Sequence, residues 1–360
     1  MTQPVMAMEE AVRPRIAKAA ILVEQNAPLL IADIEIPPVD VGQVLVRVQC
    51  SGICGSQLNE ISGRRGQDRF LPHLLGHEGA GRVVEVGPGV RKIKPGDQVV
   101  LHWMEGSGIE SAPPIFRLDG TVINAGRVTT FSEYTVVSEN RVTPIPHDIN
   151  PGVACLLGCS VTTGLGIVIH EANVTPGQSL VVFGVGGIGL NVVQGADLVH
   201  ADPIVAVDVD DRKLVQACAF GATHTVSVAQ AETGLEARLK DLTEGAGFDV
   251  AVDTTGKREV FQLAYRVTGD AGKTVMAGVH DAQQPITIDA YPLHFGRRII
   301  GSHGGATQPD SDIPRYLQLY RRKRLKLDEQ ITHRYSLDNV NEALEAVRRG
   351  EAVRCVLKMA

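Results

Sequence analysis

The sequence predicts an α/β protein in which a doubly wound parallel sheet is inserted, in one continuous piece, into a β-rich unit. Three observations predict it. The first third is cut into short β-branched runs by Gly/Pro turns. From about Gly177, short apolar strands alternate with helical stretches. The first of those strands leads straight into Gly184-Val185-Gly186-Gly187-Ile188-Gly189. At 360 residues the chain exceeds the usual size of a single core, so two units are expected.

In chain order, the first strands are expected at 44–48, 82–86, 98–101 and 134–137, with Gly87-Pro88-Gly89 and Pro95-Gly96-Asp97 as turn chemistry between them. The alternating block is read as strands 180–183, 204–207, 250–253 and 274–278 with helices 190–200, 212–220 and 259–268, the rhythm of a parallel sheet. A helix is expected over 337–349, with Asp338 near its start, Arg348 and Arg349 in its last turn and Gly350 just past its end. A last strand follows at 353–359. Residues 1–18 mix Glu9, Glu10, Arg13 and Arg15 with no apolar stretch, and are read as a loose tail rather than a secretory signal.

The net charge of −6 gives no footprint for nucleic acid or an anionic membrane, and no run reaches the length of a membrane span. The one dense basic run, Arg321 to Arg324 with Lys326, reads as the solvated end of a helix. Six cysteines in a chain of this size without a signal peptide point to reduced thiols in a cytoplasmic setting, some of them in metal or catalytic use.

The Gly-x-Gly-x-x-Gly run sits between an apolar strand and a helix, the context in which such a turn binds a dinucleotide. Its glycines, Gly184, Gly186, Gly187 and Gly189, permit a tight turn, close backbone approach to a pyrophosphate and close helix–strand packing. The helix N-terminus offers free N–H groups to the phosphates. Asp208 ends the next strand, about 20 residues on, where an acid binds the adenine ribose. A carboxylate there repels a 2′-phosphate, so NAD is expected over NADP. Lys213 is a candidate to cap the same ribose.

Upstream, three segments carry zinc-type ligands: Cys54 in Gly52-Ile53-Cys54, His77 in Gly76-His77-Glu78, and Cys159 in Gly158-Cys159. Two cysteines and one histidine with an open fourth position suit a catalytic zinc. Spacing alone does not choose between a metal site and buried packing cysteines with a structural histidine.

From about Lys18 to the C-terminus the chain resembles the zinc-dependent medium-chain dehydrogenases, the alcohol dehydrogenase family. The resemblance rests on Gly52-Ile53-Cys54, Gly76-His77-Glu78-Gly79-Ala80-Gly81, Pro95-Gly96-Asp97, Thr130-Phe131-Ser132-Glu133-Tyr134, and Gly158-Cys159 with Thr163-Gly164. It implies a Rossmann-type sheet (residues 161–303) inserted into a GroES-like catalytic unit (1–160 and 304–360). It implies Cys54, His77 and Cys159 as ligands of the catalytic zinc, with Glu78 beside the metal as a transient ligand. It implies that zinc acts as a Lewis acid on an alcohol oxygen, that Ser56 takes the alcohol proton, and that hydride passes to NAD. By the same resemblance Thr163 and Ile188 pack at the nicotinamide, Arg354 contacts the pyrophosphate, and Trp103 is a wall of the substrate pocket. Cys50, Cys155, Cys218 and Cys355 match no ligand position and are read as packing residues.

The chain also departs from the family. Residues 102–127, where many members carry a four-cysteine structural zinc, contain no cysteine, so about one zinc per chain is expected, and it is catalytic. Gly55 stands at a common phosphate-binding position. Gln57 stands where an Asp often supports the zinc histidine, and supports it less strongly. Asn59 replaces a relay histidine and does not titrate. The substrate is a small alcohol, aldehyde or ketone whose identity the residues do not specify, and the chain is expected to form a homodimer or homotetramer with neither nucleic acid nor membrane as partner. Two other readings are a metal-independent double-bond or quinone reductase of the same superfamily, disfavoured by the three ligands, and a non-catalytic dinucleotide-binding protein, disfavoured by Ser56 and the metal set.

Overall fold

The computed structural model describes residues 15–64, 66–230, 234–281 and 285–360. The tail expected at the N-terminus lies mostly outside these. Three sheets organise the described chain. The parallel one has six strands in the spatial order His224–Ser227, Ile204–Asp208, Leu180–Phe183, Phe248–Asp253, Thr268–Met276 and Arg298–Gly301. Every pairing in it is parallel. Numbered along the chain this is 3-2-1-4-5-6, so the order reverses between Leu180–Phe183 and Phe248–Asp253. Crossover helices leave on opposite sides of such a reversal and open a crevice beyond the strand ends.

Leu180, Val181, Val182 and Phe183 are all buried, as a strand covered on both faces requires. Helices Gly187–Leu198, Asp211–Ala219 and Arg258–Val267 fall where helices are expected, within a few residues.

A second sheet runs Val142–Ile145, Gln98–His102, Glu78–Val86, Gln43–Ile53, Arg354–Lys358, Ile331–Ser336, with Tyr134–Ser138 also pairing onto Gln43–Ile53. The C-terminal strand therefore returns to the N-terminal unit, with Cys355 opposite Ile53. A third, antiparallel sheet holds His73–Leu74, Arg15–Leu22, Leu30–Ile36, Phe116–Leu118 and Thr121–Ile123.

The strands Arg15–Leu22 and Leu30–Ile36 were not expected. Ala17, Ala19 and Ile21 share one buried cluster while Ala20 and Leu22 join another, so both faces are covered and alternation is lost. The helix over 337–349 starts as a 3-10 turn, Leu337–Asn339, and continues as Val340–Arg348. The basic run sits at the end of the helix Pro309–Arg321. No single helix among the described residues is long and apolar enough to cross a membrane.

Candidate active site

The glycine-rich turn lies at the strand-order reversal. Gly184 has φ +85°, and a Cβ on Gly189 would fall 1.9 Å from the Gly184 carbonyl oxygen, so both positions exclude a side chain. Gly186 has no atom within 4 Å of its Cβ position, which leaves its face open to a ligand. The Asp208 carboxylate accepts the Val185 N–H at 2.8 Å and the Asp210 N–H at 3.0 Å, and so fixes the turn itself.

Cys54, His77 and Cys159 come together although they lie on separate segments: their ligand atoms are all within 4.8 Å of one another. Cys54 follows the strand Gln43–Ile53 and precedes the helix Gly55–Ile61. His77 precedes the strand Glu78–Val86. Cys159 caps the helix Ser160–Gly166, and Thr163, one turn on, donates its N–H to the Cys159 carbonyl at 2.9 Å.

Cys54 and Cys159 titrate as a pair. A hydrogen bond from Cys159, helped by His77, holds the Cys54 thiol well below the usual range, and the same bond pushes Cys159 well above it. Hydrogen bonding and charge from Cys54 overcome the burial of His77 and raise its imidazole. Two sulfurs sharing a proton beside an imidazole form a set that a soft or borderline divalent cation satisfies better than protons do, and zinc fits it. Glu60, Asp68 and His73 also lie within 4.8 Å of one another, but there His73 Nε2 is already paired with Asp68 at 2.8 Å.

Glu78 is fully buried and does not belong to the ligand-atom group. Its Oε1 accepts from Arg354, and its Oε2 faces the Ser160 N–H at 3.4 Å. Burial pushes its carboxyl up, against the pull of Arg354. The motif glycines make room for this pair. A Cβ on Gly52 would fall 2.7 Å from Glu78 Oε1, and one on Gly158 would fall 2.3 Å from the Leu101 carbonyl oxygen.

Arg354 also donates to the Ile53 carbonyl at 3.2 Å, and its Cδ lies 2.7 Å from the Cβ position of Gly187. Its buried Nε has no partner. Arg354 thus links the buried Glu78, the neighbour of His77, to the glycine-rich turn, a link for which sequence reasoning had no signal.

A cavity of about 860 Å³ joins the two halves, with Cys54, Ser56 and Asn59 on one wall and Gly186, Gly187, Ile188 and Arg354 on another. Ser56 Oγ is buried there without a partner. Asp208, Lys213, Thr163 and Trp103 are not part of this lining. Lys213 Nζ instead stands 3.7 Å from the Cβ position of Gly350. Trp103 packs edge-on to His303, ring centroids 4.9 Å apart, a neighbour sequence reasoning missed.

Three of the four other cysteines are packing residues in fact. Burial pushes Cys50 up to about 11 and Cys355 up to about 12, and holds Cys155 well above the usual thiol range. Cys218 is a correction: it faces solvent on the helix Asp211–Ala219, whose inward positions are Leu214 and Ala217.

The cysteine-free stretch is held by carboxylates. Glu139 accepts the backbone N–H groups of Arg91, Lys92 and Ile109 at 2.6, 2.7 and 2.9 Å. Asp310 accepts the Ser107 N–H at 2.6 Å, the Ser107 hydroxyl at 2.7 Å, Lys92 Nζ at 2.7 Å and the Thr143 hydroxyl at 3.1 Å. Glu110 takes Arg141 by both its Nε and Nη2.

Comparison with known proteins finds two family models. The alcohol dehydrogenase GroES-like domain matches residues 40–147, and the zinc-binding dehydrogenase model matches residues 187–322. The chain is 34% identical to the alcohol dehydrogenase class-3 of Cereibacter sphaeroides, over 94% of this chain and 99% of that protein. It is 33% identical to the S-(hydroxymethyl)glutathione dehydrogenase of Paracoccus denitrificans, with the same coverages. Among solved structures, benzyl alcohol dehydrogenase from Acinetobacter calcoaceticus superposes with a TM-score of 0.87 at 26% identity, over 96% of this chain and 100% of that one. An alcohol dehydrogenase zinc-binding domain protein from Burkholderia ambifaria gives 0.88 at 27% identity, over 96% and 99%.

Proposed function

This chain belongs to the zinc-dependent alcohol dehydrogenase family of medium-chain dehydrogenases, and we propose from that premise that it oxidises a small alcohol, or reduces the matching carbonyl, with NAD in the 860 Å³ cavity. The observation that carries the reading is that this one cavity holds both a metal-ligand residue, Cys54, and the open face of the dinucleotide turn.

Cys54, His77 and Cys159 hold one catalytic zinc per chain, and no second zinc serves the cysteine-free stretch. When bound, zinc supplies Lewis acidity toward the substrate oxygen and NAD supplies the hydride acceptor. Ser56 Oγ, buried and unpartnered, takes the proton of the substrate hydroxyl. Asn59 lines the same wall but cannot titrate, so the proton leaves from Ser56 through water or a ribose hydroxyl. Ile188, on the facing wall, orients the nicotinamide, with Thr163 behind. The unpartnered Arg354 Nε–H is free for a phosphate oxygen beside Gly187, and the charge kept on Arg354 by Glu78 favours that contact. Glu78 acts through Arg354 and as a buried negative charge beside the metal, rather than as a permanent ligand. Asp208 receives the adenine ribose, with Lys213 near it, and Trp103 with His303 forms part of the substrate wall.

In this proposal residues 161–303 serve the cofactor, and 1–160 with 304–360 serve metal and substrate. Exposed Val279, Tyr291, Phe295 and Ile299, at and near the edge strand Arg298–Gly301, support a homodimer or homotetramer. Six free cysteines fit a cytoplasmic protein.

The test is an NADH-absorbance screen of alcohols and aldehydes, with zinc content measured on the same sample. S-(hydroxymethyl)glutathione and benzyl alcohol lead the panel because proteins of those names are relatives. Turnover with NAD and one zinc per chain is expected. A zinc-loaded sample that binds NAD and turns over none of the panel in either direction would remove the enzymatic reading.

A further inference from the structure

Gln57 is almost fully buried and touches two of the three candidate zinc ligands. Its Oε1 accepts the Cys54 backbone N–H at 2.8 Å. Its Nε2 lies 2.6 Å from His77 Nδ1. With Nδ1 taken up by Gln57, Nε2 is the His77 ring nitrogen left for a metal shared with Cys54 and Cys159.

A neutral imidazole carries one N–H. To give the Nε2 lone pair to a metal, His77 must keep its proton on Nδ1, and that N–H needs an acceptor. The group facing it is the Gln57 amino group, which only donates. Turning the amide over brings Oε1 to His77, but then aims the amino group at the Cys54 N–H. The two backbone and ring donors are reached by opposite ends of one amide, and an amide has one oxygen. Whichever way it lies, the metal-loaded site sets one N–H against another. A carboxylate at this position has an oxygen for each.

We propose that Gln57 is a positioning residue that loosens zinc: loading the metal leaves one buried donor at Gln57 unmet, so zinc leaves this site faster than it would from one with a carboxylate at position 57. The inference rests on the reading of Cys54, His77 and Cys159 as the zinc ligands. It concerns the metal's residence and says nothing of the substrate.

The experiment measures release of zinc from the holoenzyme to a coloured chelator, after zinc per chain has been counted. Gln57→Glu is expected to slow release by roughly tenfold or more, with Gln57→Asp as a second carboxylate should the longer one not fold. Added negative charge alone also attracts a cation, so Glu60→Gln is the control. Glu60 lines a second cavity together with Gln57 and His77, and its charge acts on His77. Removing it takes away one negative charge and leaves the amide untouched, and release is expected to stay within about twofold of native for so partly exposed a charge. Native-rate release from the carboxylate variants overturns the proposal. So does a Glu60→Gln variant that speeds release by as much as Gln57→Glu slows it. A native protein that holds no zinc at the outset defeats the ligand assignment instead, which separates the two failures.

Discussion

Two regions of this chain gather distant segments around a charged centre, and they use opposite chemistry. In the candidate metal trio, Cys54, His77 and Cys159 converge from three segments, their ligand atoms within 4.8 Å of one another. Around the stretch 102–127, the centres are anions supplied from elsewhere in the chain: Glu139 collects three backbone N–H groups, and Asp310 collects a backbone N–H, two hydroxyls and an ammonium. Many members of the resembled family carry a structural zinc at this second region, and the absence of cysteine from 102–127 is read as a departure from them. Here the same mechanical task, tying a loop to the body of the protein, is done with carboxylate oxygens and no sulfur. A metal site needs particular residue types because few side chains ligate. A carboxylate clamp such as Glu139 needs only one acid in the right place, because its three partners are main chain, which every residue carries.

The comparison breaks most sharply if the trio is disturbed. Cys54→Ser or His77→Ala is expected to take zinc from about one per chain to nearly none and to abolish turnover. NADH binding, followed by fluorescence, should stay near native because the glycine turn is built from other residues. Full turnover by a metal-free Cys54 variant would end the zinc reading.

Glu139→Ala is the matching cut in the other region. It leaves three backbone N–H groups in part-buried surroundings without their acceptor, where water replaces some of what is lost and the cost of each falls below the roughly 1–3 kcal/mol of a fully buried donor. Stability to urea should fall by roughly 1–3 kcal/mol, with zinc content unchanged. A loss of zinc in step with stability would mean that the two regions are one unit after all.

The difference between the regions is also the difference in what could be read from the sequence. Cysteine and histidine at Cys54, His77 and Cys159 stand out by type. The glycines stand out as a type, and the fold gives the reason: a Cβ at Gly52, Gly158 or Gly189 would strike an acid or a carbonyl, and Gly184 sits at φ +85° against the Thr254 hydroxyl. The parallel sheet was legible from its buried apolar strands.

Glu139 and Asp310 look like any surface acid until the fold brings Ser107 to Asp310, 203 positions away. The Glu78–Arg354 pair spans 276 positions and exists only because the last strand returns to Gln43–Ile53. Resemblance put Arg354 at the phosphates, and no local pattern could put it on Glu78. Cys218 was misjudged for the converse reason: residue type suggested burial, and helix phase decided otherwise.

Asp208 tests whether a carboxylate can belong to both kinds of region. It clamps the turn through two backbone N–H groups, and by position it also reads the ribose. If it were only a clamp, Asp208→Gly would weaken NAD and NADP alike. The expected outcome is a loss of roughly tenfold or more for NAD, the worth of one charge-assisted hydrogen bond, and a smaller loss for NADP, whose 2′-phosphate no longer meets a carboxylate. The ratio of kcat/KM values for the two cofactors is the measurement, and an unchanged ratio would leave Asp208 as a clamp alone.

The smallest effect sharpens the comparison by pH. Burial works to raise the Asp310 carboxyl, but hydrogen bonds from Lys92 and Ser107 outweigh it and hold the group at about 2, below its ordinary 3.8. A carboxyl depressed on folding stabilises the protein above its unfolded pKa, and that stability drains away as pH falls through the folded value. The gap between native protein and Asp310→Asn should therefore be constant above about pH 5, and close between about 4 and 2. Acid also protonates Cys54 and Cys159 and expels zinc, but it does so in both proteins, so the metal's share cancels in the difference. What remains is the carboxylate region's own titration. A gap that began to close near neutral pH would show the carboxylate region coupled to groups other than its own acid, the raised His77 imidazole among them.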